Sequence, residues 1–497
     1  MRRVACAVIS SAVLYLCALG AHAEAASFAD IEGWWIATPT YANESSTVVL
    51  EFVKQEDKQL MRLSLPAIGG YGMNAGNVSV SGVSVTTDAL EFPLTYNAEQ
   101  KTLSGYLPEA IVPVHKIPVT FKRTEPLVKP APRAWNHPSP KLKWRTQVDA
   151  PVWAGLEHDE HSGLLFVATD AGVVHAIDAQ GEMQWRFETG KAIKARPAAI
   201  SSSVFIHSDS GYAYRLDARS GKELWRAKID TGSAARIPVN EPKTRWDRYG
   251  SSFVSDGQHV YVASRDSHLY ALDIQTGEQR WRVATRDMIT ATPALSGDAV
   301  IVGSFDGTLR AVSARDGSER WSYDARLPIS GDVIVSGNHV LAGSRTYDLI
   351  ALDARTGKET WKHYYWFSWI ESPPIVNDGV VYTGSSDATG VYAIDLTSGA
   401  RKWKADVPGY AWPRPAVDQR MVVAGTIGQG PHPGNREGAL LGIDKQSGKT
   451  RWMLIKAPSE STVQQKRDWG FASSPILADA IAYAADLDGT VYAIEAY

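Results

Sequence analysis

Cysteine is nearly absent. The 497 residues contain two, Cys6 and Cys17, both within the first 23 positions. Those positions read as a secretory signal: Arg2-Arg3, an apolar run from Val4 to Leu19, then Ala21-His22-Ala23 as a small-residue cleavage site. The run is too short to be read as a membrane span. The residues around the arginine pair do not suit a twin-arginine signal, and Leu14-Tyr15-Leu16 before Cys17 is a poor lipid-attachment box. The expectation is ordinary export to a periplasmic or secreted location, with no transmembrane segment after signal removal. The exported chain then has no disulfide, no thiol nucleophile and no cysteine metal site.

Charge of one sign is also lacking. The formal charge is −3 and becomes −5 once Arg2 and Arg3 are removed, which argues against general nucleic-acid binding. The sequence contains no G-x-S-x-G elbow, no H-E-x-x-H and no GK[ST] phosphate loop. His158 and His161, with Glu157, Asp159 and Glu160 around them, have a spacing that a metal could use but read as a solvated turn. Asp486-Leu487-Asp488-Gly489 starts like a calcium loop, yet no distal Glu completes it. No metal site is expected.

What the chain has is tryptophan at a fixed interval. ALDARTGKETW ends at Trp361, and variants of it end at Trp185, Trp225, Trp281, Trp321, Trp403 and Trp452, with Trp144 standing alone before them. Successive tryptophans from Trp144 onward lie 41, 40, 56, 40, 40, 42 and 49 residues apart. A period near 40 with strand-like content signals a propeller or solenoid. Each unit holds four short apolar runs separated by Asp- and Gly-containing turns, with no helical period, so each unit reads as one four-stranded antiparallel blade. The last stretch, SSPILADAIAYAADLDGTVYAIEAY, supplies three strands, and KLKWRTQV around Trp144 supplies an unpaired fourth. Pairing the two closes a ring of eight blades with no open edge. The tryptophans are read as packing groups between blades.

Residues 24–124 form a second unit with period-two alternation, as in STVVLEFV and QLMRLSLP, which indicates six to eight strands in a small barrel or sandwich. Gly33-Trp34-Trp35 resembles the Gly-x-Trp opening of lipocalin-like barrels, a packing device that many β-folds use. Residues 125–140, EPLVKPAPRAWNHPSP, contain five prolines and read as a semi-rigid extended linker. The barrel or sandwich is expected to fold independently of the propeller at 141–497.

The Ala-x-Asp-x-x-Thr-Gly-x-x-x-Trp pattern resembles the tryptophan-docking motif of quinoprotein-type (pyrroloquinoline-quinone-like) β-propellers. That family holds quinone-dependent dehydrogenases and non-enzymatic BamB-like members, and the second group is the nearer in block length. The resemblance implies that each indole stacks between the Ala of its own motif and the Gly peptide of the next. The copy ending at Trp185 is one residue short, and the copy ending at Trp321 has Ser313 in place of Asp.

Blade topology sorts the loops onto two faces. The longer insertions, 227–250, 426–438 and 453–470, and the aromatic stretch 362–373 (KHYYWFSWIESP), all fall on the face that carries the connections between blades. Loops on a rigid scaffold carry specificity, so this is the candidate binding face. Residues just before each inner strand should ring the channel mouth: Trp153, Lys194, Arg196, Arg248, Tyr249, Thr290, Glu371, Trp412, Arg414 and Trp469. Trp366 belongs to the aromatic stretch, and Lys191, Arg236, Lys243, Arg245, Lys466 and Arg467 lie in the same connections. Two readings stand side by side. The arginines pair locally with Asp247, Asp287, Glu371 and Asp468, or they and the rings receive an anionic or aromatic partner.

The expected function is an exported, non-catalytic scaffold that binds a protein partner in the cell envelope and needs no cofactor. One alternative is a pyrroloquinoline-quinone dehydrogenase with calcium, which the resemblance implies and which would draw on Glu371, Asp468 and Trp469. The other is a soluble binder of small anions or glycans.

Overall fold

The computed structural model describes residues 25–88, 93–229, 248–429, 437–458, 462 and 468–497. The expected signal at 1–23 lies outside them, as do Arg236, Lys243, Arg245, Asp247, Lys466 and Arg467. Among the described residues no helix is long and apolar enough to cross a membrane.

Eight antiparallel sheets form the ring. Blades one to seven begin at the inner strands Glu157–Asp159, Ala198–Ile200, Val254–Ser255, Ala294–Ser296, Ile334–Ser336, Ile375–Asn377 and Ala416–Val417. Blade eight is composite: Leu142–Gln147 pairs with Thr490–Glu495, which continues to Ile481–Ala485 and Ile476–Ala478. Within a blade the middle strands are buried on both faces, as in Ala299–Gly303. The outer strand alternates, as in Gln279–Ala284, where Trp281 and its same-face neighbours are half-buried and the rest exposed. This gradient matches the apolar-to-mixed progression along each repeat.

The docking ring is complete. Each indole Nε1 donates to a carbonyl of the following blade: Trp144 to Ala179 at 2.8 Å, Trp185 to Ala218 at 3.1 Å, Trp225 to Ile274 at 3.1 Å and Trp281 to Ala314 at 2.9 Å. Trp321 donates to Ala354 at 3.0 Å, Trp361 to Leu396 at 2.9 Å, Trp403 to Lys445 at 3.0 Å and Trp452 to Ala496 at 2.8 Å. The turn that receives the indole explains the motif. Asp353 Oδ1 accepts from Thr356 N and Oγ1 at 2.8 and 2.6 Å, and Gly357 follows at φ +68°. A methyl on Gly357 would stand 2.6 Å from Trp321 Cδ2, so only glycine lets the indole lie flat on the peptide.

Residues 33–124 close an eight-stranded barrel, in which Gly33–Ala37 pairs with both Val48–Gln55 and Pro118–Thr124. The short helix Phe28–Ile31 caps one end. Trp35 Nε1 donates to Ile31 O at 2.7 Å, and the Arg123 guanidinium lies 4.5 Å over the Trp35 ring. The linker runs along the outside of the ring: Arg133 pairs with Asp406 at 2.7 Å, Trp135 packs on the apolar cluster of blades six and seven, and Met453 N donates to Pro138 O at 2.9 Å.

The barrel packs against the propeller. Tyr364, Trp366 and Phe367 join the barrel's own apolar cluster. Tyr41 meets Tyr364 edge-on with centroids 4.9 Å apart, and His115 Nε2 lies 3.2 Å from Asp348 Oδ2. Arg326 donates to Val114 O at 2.9 Å, and Arg401 pairs with Glu44 at 3.1 Å. The barrel therefore sits over the rim of blades four to six, on the face that carries the blade connections.

Candidate functional site at the propeller axis

The inner strands are short, and the residues before them turn toward the axis, where eight blades converge. The structure brings Lys194, Arg196, Arg248, Tyr249, Glu371, Trp412 and Arg414 together there, around a cavity of about 60 Å³ that Ser330, Asp332 and Ser474 also line. Trp366 is not among them. It is 5% exposed in the barrel seam, because Tyr364, Trp366 and Phe367 supply the apolar half of an interface whose other half lies in the barrel. Trp469 also stands apart from the cavity. With Gly470 it adds a fifth strand to blade seven and rests against Gly428 and Gly438, where no side chain would fit.

Most of the charge at the axis is locally matched. Arg248 NH1 pairs with Asp468 Oδ2 at 2.7 Å, Lys194 with Asp170 at 2.5 Å, and Arg196 with Glu157. Glu371 Oε1 accepts from Arg345 Nε and NH2 at 3.0 and 2.7 Å, with both side chains almost fully buried. The aromatic rings stack onto these cations. Arg248 lies 4.8 Å over Trp153 and 5.9 Å over Trp412, Lys194 5.5 Å over Trp153, and Arg345 4.9 Å over Trp369. Tyr410 stacks on Trp412 at 5.2 Å, and Tyr249 donates to Ala472 O at 3.1 Å, its burial raising the phenol far above its usual range. The result is a polar and aromatic plug.

Arg414 is the exception. Among the described residues no carboxylate forms an ion pair with its guanidinium. Burial, and then the neighbouring Arg196, push its pKa down to about 10, against the pull of Asp332 and Glu157. Its backbone N–H is held by Ser474 Oγ at 3.1 Å. Ser330 Oγ, on the same cavity, is buried with no hydrogen-bond partner among the described residues.

The sequence reading missed Arg345, Ser330 and Asp332. Arg345 had a signal: it interrupts the blade-five turn, SRTYD, where the corresponding turn of blade four reads SFDG. The two metal-like spacings resolve otherwise. Asp159 caps its own turn through Ser162 N and Oγ, His158 stacks on Tyr483, and Lys456 bridges Asp486 and Asp488 at 2.9 and 3.0 Å.

A family profile described as outer membrane protein assembly factor BamB matches residues 133–244, 209–331 and 325–497. Among curated proteins, the polyvinylalcohol dehydrogenase of Sphingopyxis sp. (strain 113P3) is 26% identical over 178 residues, which covers 32% of this chain and 26% of that protein. BamB of Moranella endobia (strain PCIT) is 29% identical over 103 residues, 20% of this chain and 25% of that protein. The chain thus matches only about a quarter of the length of the curated relatives. The crystal structure of BamB from Moraxella catarrhalis superimposes with a TM-score of 0.53 at 18% identity, covering 71% of this chain and 100% of that one, a likeness of fold alone. With the profile running through every blade, the chain belongs to the quinoprotein-type propeller family described as outer membrane protein assembly factor BamB.

Proposed function

We propose that the protein is a non-catalytic binding scaffold of the cell envelope that uses the propeller as a rigid platform for a protein partner. One observation carries this reading: the acids that a calcium–quinone site at the axis would recruit are already engaged. Glu371 is held by Arg345 and Asp468 by Arg248, and the cavity of about 60 Å³ admits a few waters or a small ion but not a tricyclic quinone. The residues present therefore do not fit pyrroloquinoline quinone with calcium. BamB-named relatives lend support for an assembly role in the outer membrane.

The test has two arms. Purified protein is titrated with pyrroloquinoline quinone and Ca²⁺ and assayed for dye reduction with alcohols and sugars; neither binding nor reduction is expected, and sustained alcohol-dependent reduction overturns the reading. Affinity capture from envelope extract should return a stoichiometric protein partner.

A second reading, binding of a small anion at the axis, is favoured by Arg414 and Ser330 facing the same cavity. Phosphate or sulfate should then raise the melting temperature of the wild type and leave Arg414→Gln unmoved.

A further inference from the structure

The barrel is capped at one end and holds a cavity. Trp35 is buried beneath the capping helix Phe28–Ile31, its Nε1 donating to Ile31 O. Inside the barrel lies a cavity of about 250 Å³, walled by Val48, Leu50, Met61, Leu63, Met73 and Phe121. Its volume exceeds the roughly 150 Å³ at which an apolar cavity already takes up benzene. A core that merely failed to pack would be expected to collapse around so large a void, because each lost contact is destabilising.

The mouth has a different chemistry. Tyr106 lines the cavity and is 37% exposed, which puts its ring at the rim. The Lys116 ammonium lies 4.5 Å over that ring, and the chain between them, with Pro108, Ala110 and Ile111 also on the cavity, forms the rim loop. An apolar cavity with a cation at its rim is complementary to a single hydrocarbon chain ending in an acid.

We propose that the N-terminal barrel binds a fatty-acid-class ligand, its chain in the barrel cavity and its carboxylate at the rim beside Lys116. The propeller contributes to this site by holding the rim. The loop that lines the mouth continues directly into Val114 and His115, which are anchored to Arg326 and Asp348. The proposal does not depend on the axial site or on the scaffold reading.

The test uses the full chain and a dansyl-labelled undecanoate as the fluorescent probe. Saturable, one-to-one fluorescence enhancement is expected, displaced by decanoate. Ala75→Phe fills the cavity from its wall, and Ala110→Trp closes it from its exposed rim. Each should weaken the probe by about tenfold or more, with Ala75→Phe melting at or above the wild-type temperature. Lys116→Glu should weaken decanoate and spare decanol. Unsaturable binding, or binding undiminished in both Ala75→Phe and Ala110→Trp, overturns the site; equal loss of decanoate and decanol in Lys116→Glu overturns the placement of the head group.

Discussion

Two glycines separate backbone strain from indole contact. Gly357 and Gly297 both have positive φ, +68° and +58°, but a methyl on Gly357 would strike Trp321, whereas a methyl on Gly297 meets nothing within 4 Å. Gly297→Ala should cost about 1 kcal/mol from the left-handed backbone alone. Gly357→Ala should cost about 2–4 kcal/mol, because overpacking is added, and urea melts of the two variants read the difference directly. The axial arginines divide in the same way. Arg248→Ala removes the cation paired with buried Asp468 and should lose about 3–5 kcal/mol. Arg414→Ala removes a desolvated cation that repels Arg196, so its melting temperature should hold or rise. The sequence placed both residues at the axis, because each precedes an inner strand. It could not separate their roles, since ion pairing depends on which acid another blade delivers.

At the level of elements, the tryptophan period was enough to read the blades, and the unpaired strand around Trp144 was enough to read the ring closure. Both follow from local pattern: turn residues fix hairpins, and a lone fourth strand needs three others. The strand Leu142–Gln147 pairs along its length with Thr490–Glu495 and sends Trp144 to Ala179 of blade one. Deleting residues 141–148 should therefore lower the melting temperature of the whole ring in one cooperative step, followed by circular dichroism; a truncation that melts like the full chain would contradict the closure. The aromatic run at 364–369 was misread at this scale. Its length and composition suit an exposed binding loop equally well. Only the barrel, folded from residues more than 200 positions earlier, shows that Tyr364, Trp366 and Phe367 belong to an internal seam.

Across the whole molecule, the seam is expected to couple the stability of barrel and propeller. Calorimetry should show a single transition, and the pair His115→Ala with Arg326→Ala should split it. Acid should also weaken the structure near the seam through His363. Burial lowers its pKa to about 4, with Arg401 adding to the effect and the Gly399 carbonyl opposing it. Between about pH 6.5 and 4 the unfolded chain holds a proton that the folded one refuses, so stability falls as pH falls, by up to about 1.4 kcal/mol per pH unit. Glu44, 3.8 Å away and paired with Arg401, has its carboxyl pushed up by burial and titrates with the opposite sign. Comparing wild type with His363→Gln across that window isolates the histidine: the variant should show the shallower slope.

The composite blade also sets an order of events in time. Gln147 accepts a hydrogen bond from Thr490, 343 positions further along the chain, so the first strand of the propeller waits for nearly the whole array to be synthesised. At about 5–20 residues per second that delay is on the order of 20–70 s. Throughout it, Leu142–Gln147 has no strand beside it, and the growing arc of blades has two raw ends. A newborn chain of this design is most vulnerable to sticking to its neighbours just before its last hairpin arrives, and a chaperone that shields strand edges would serve it best at that moment.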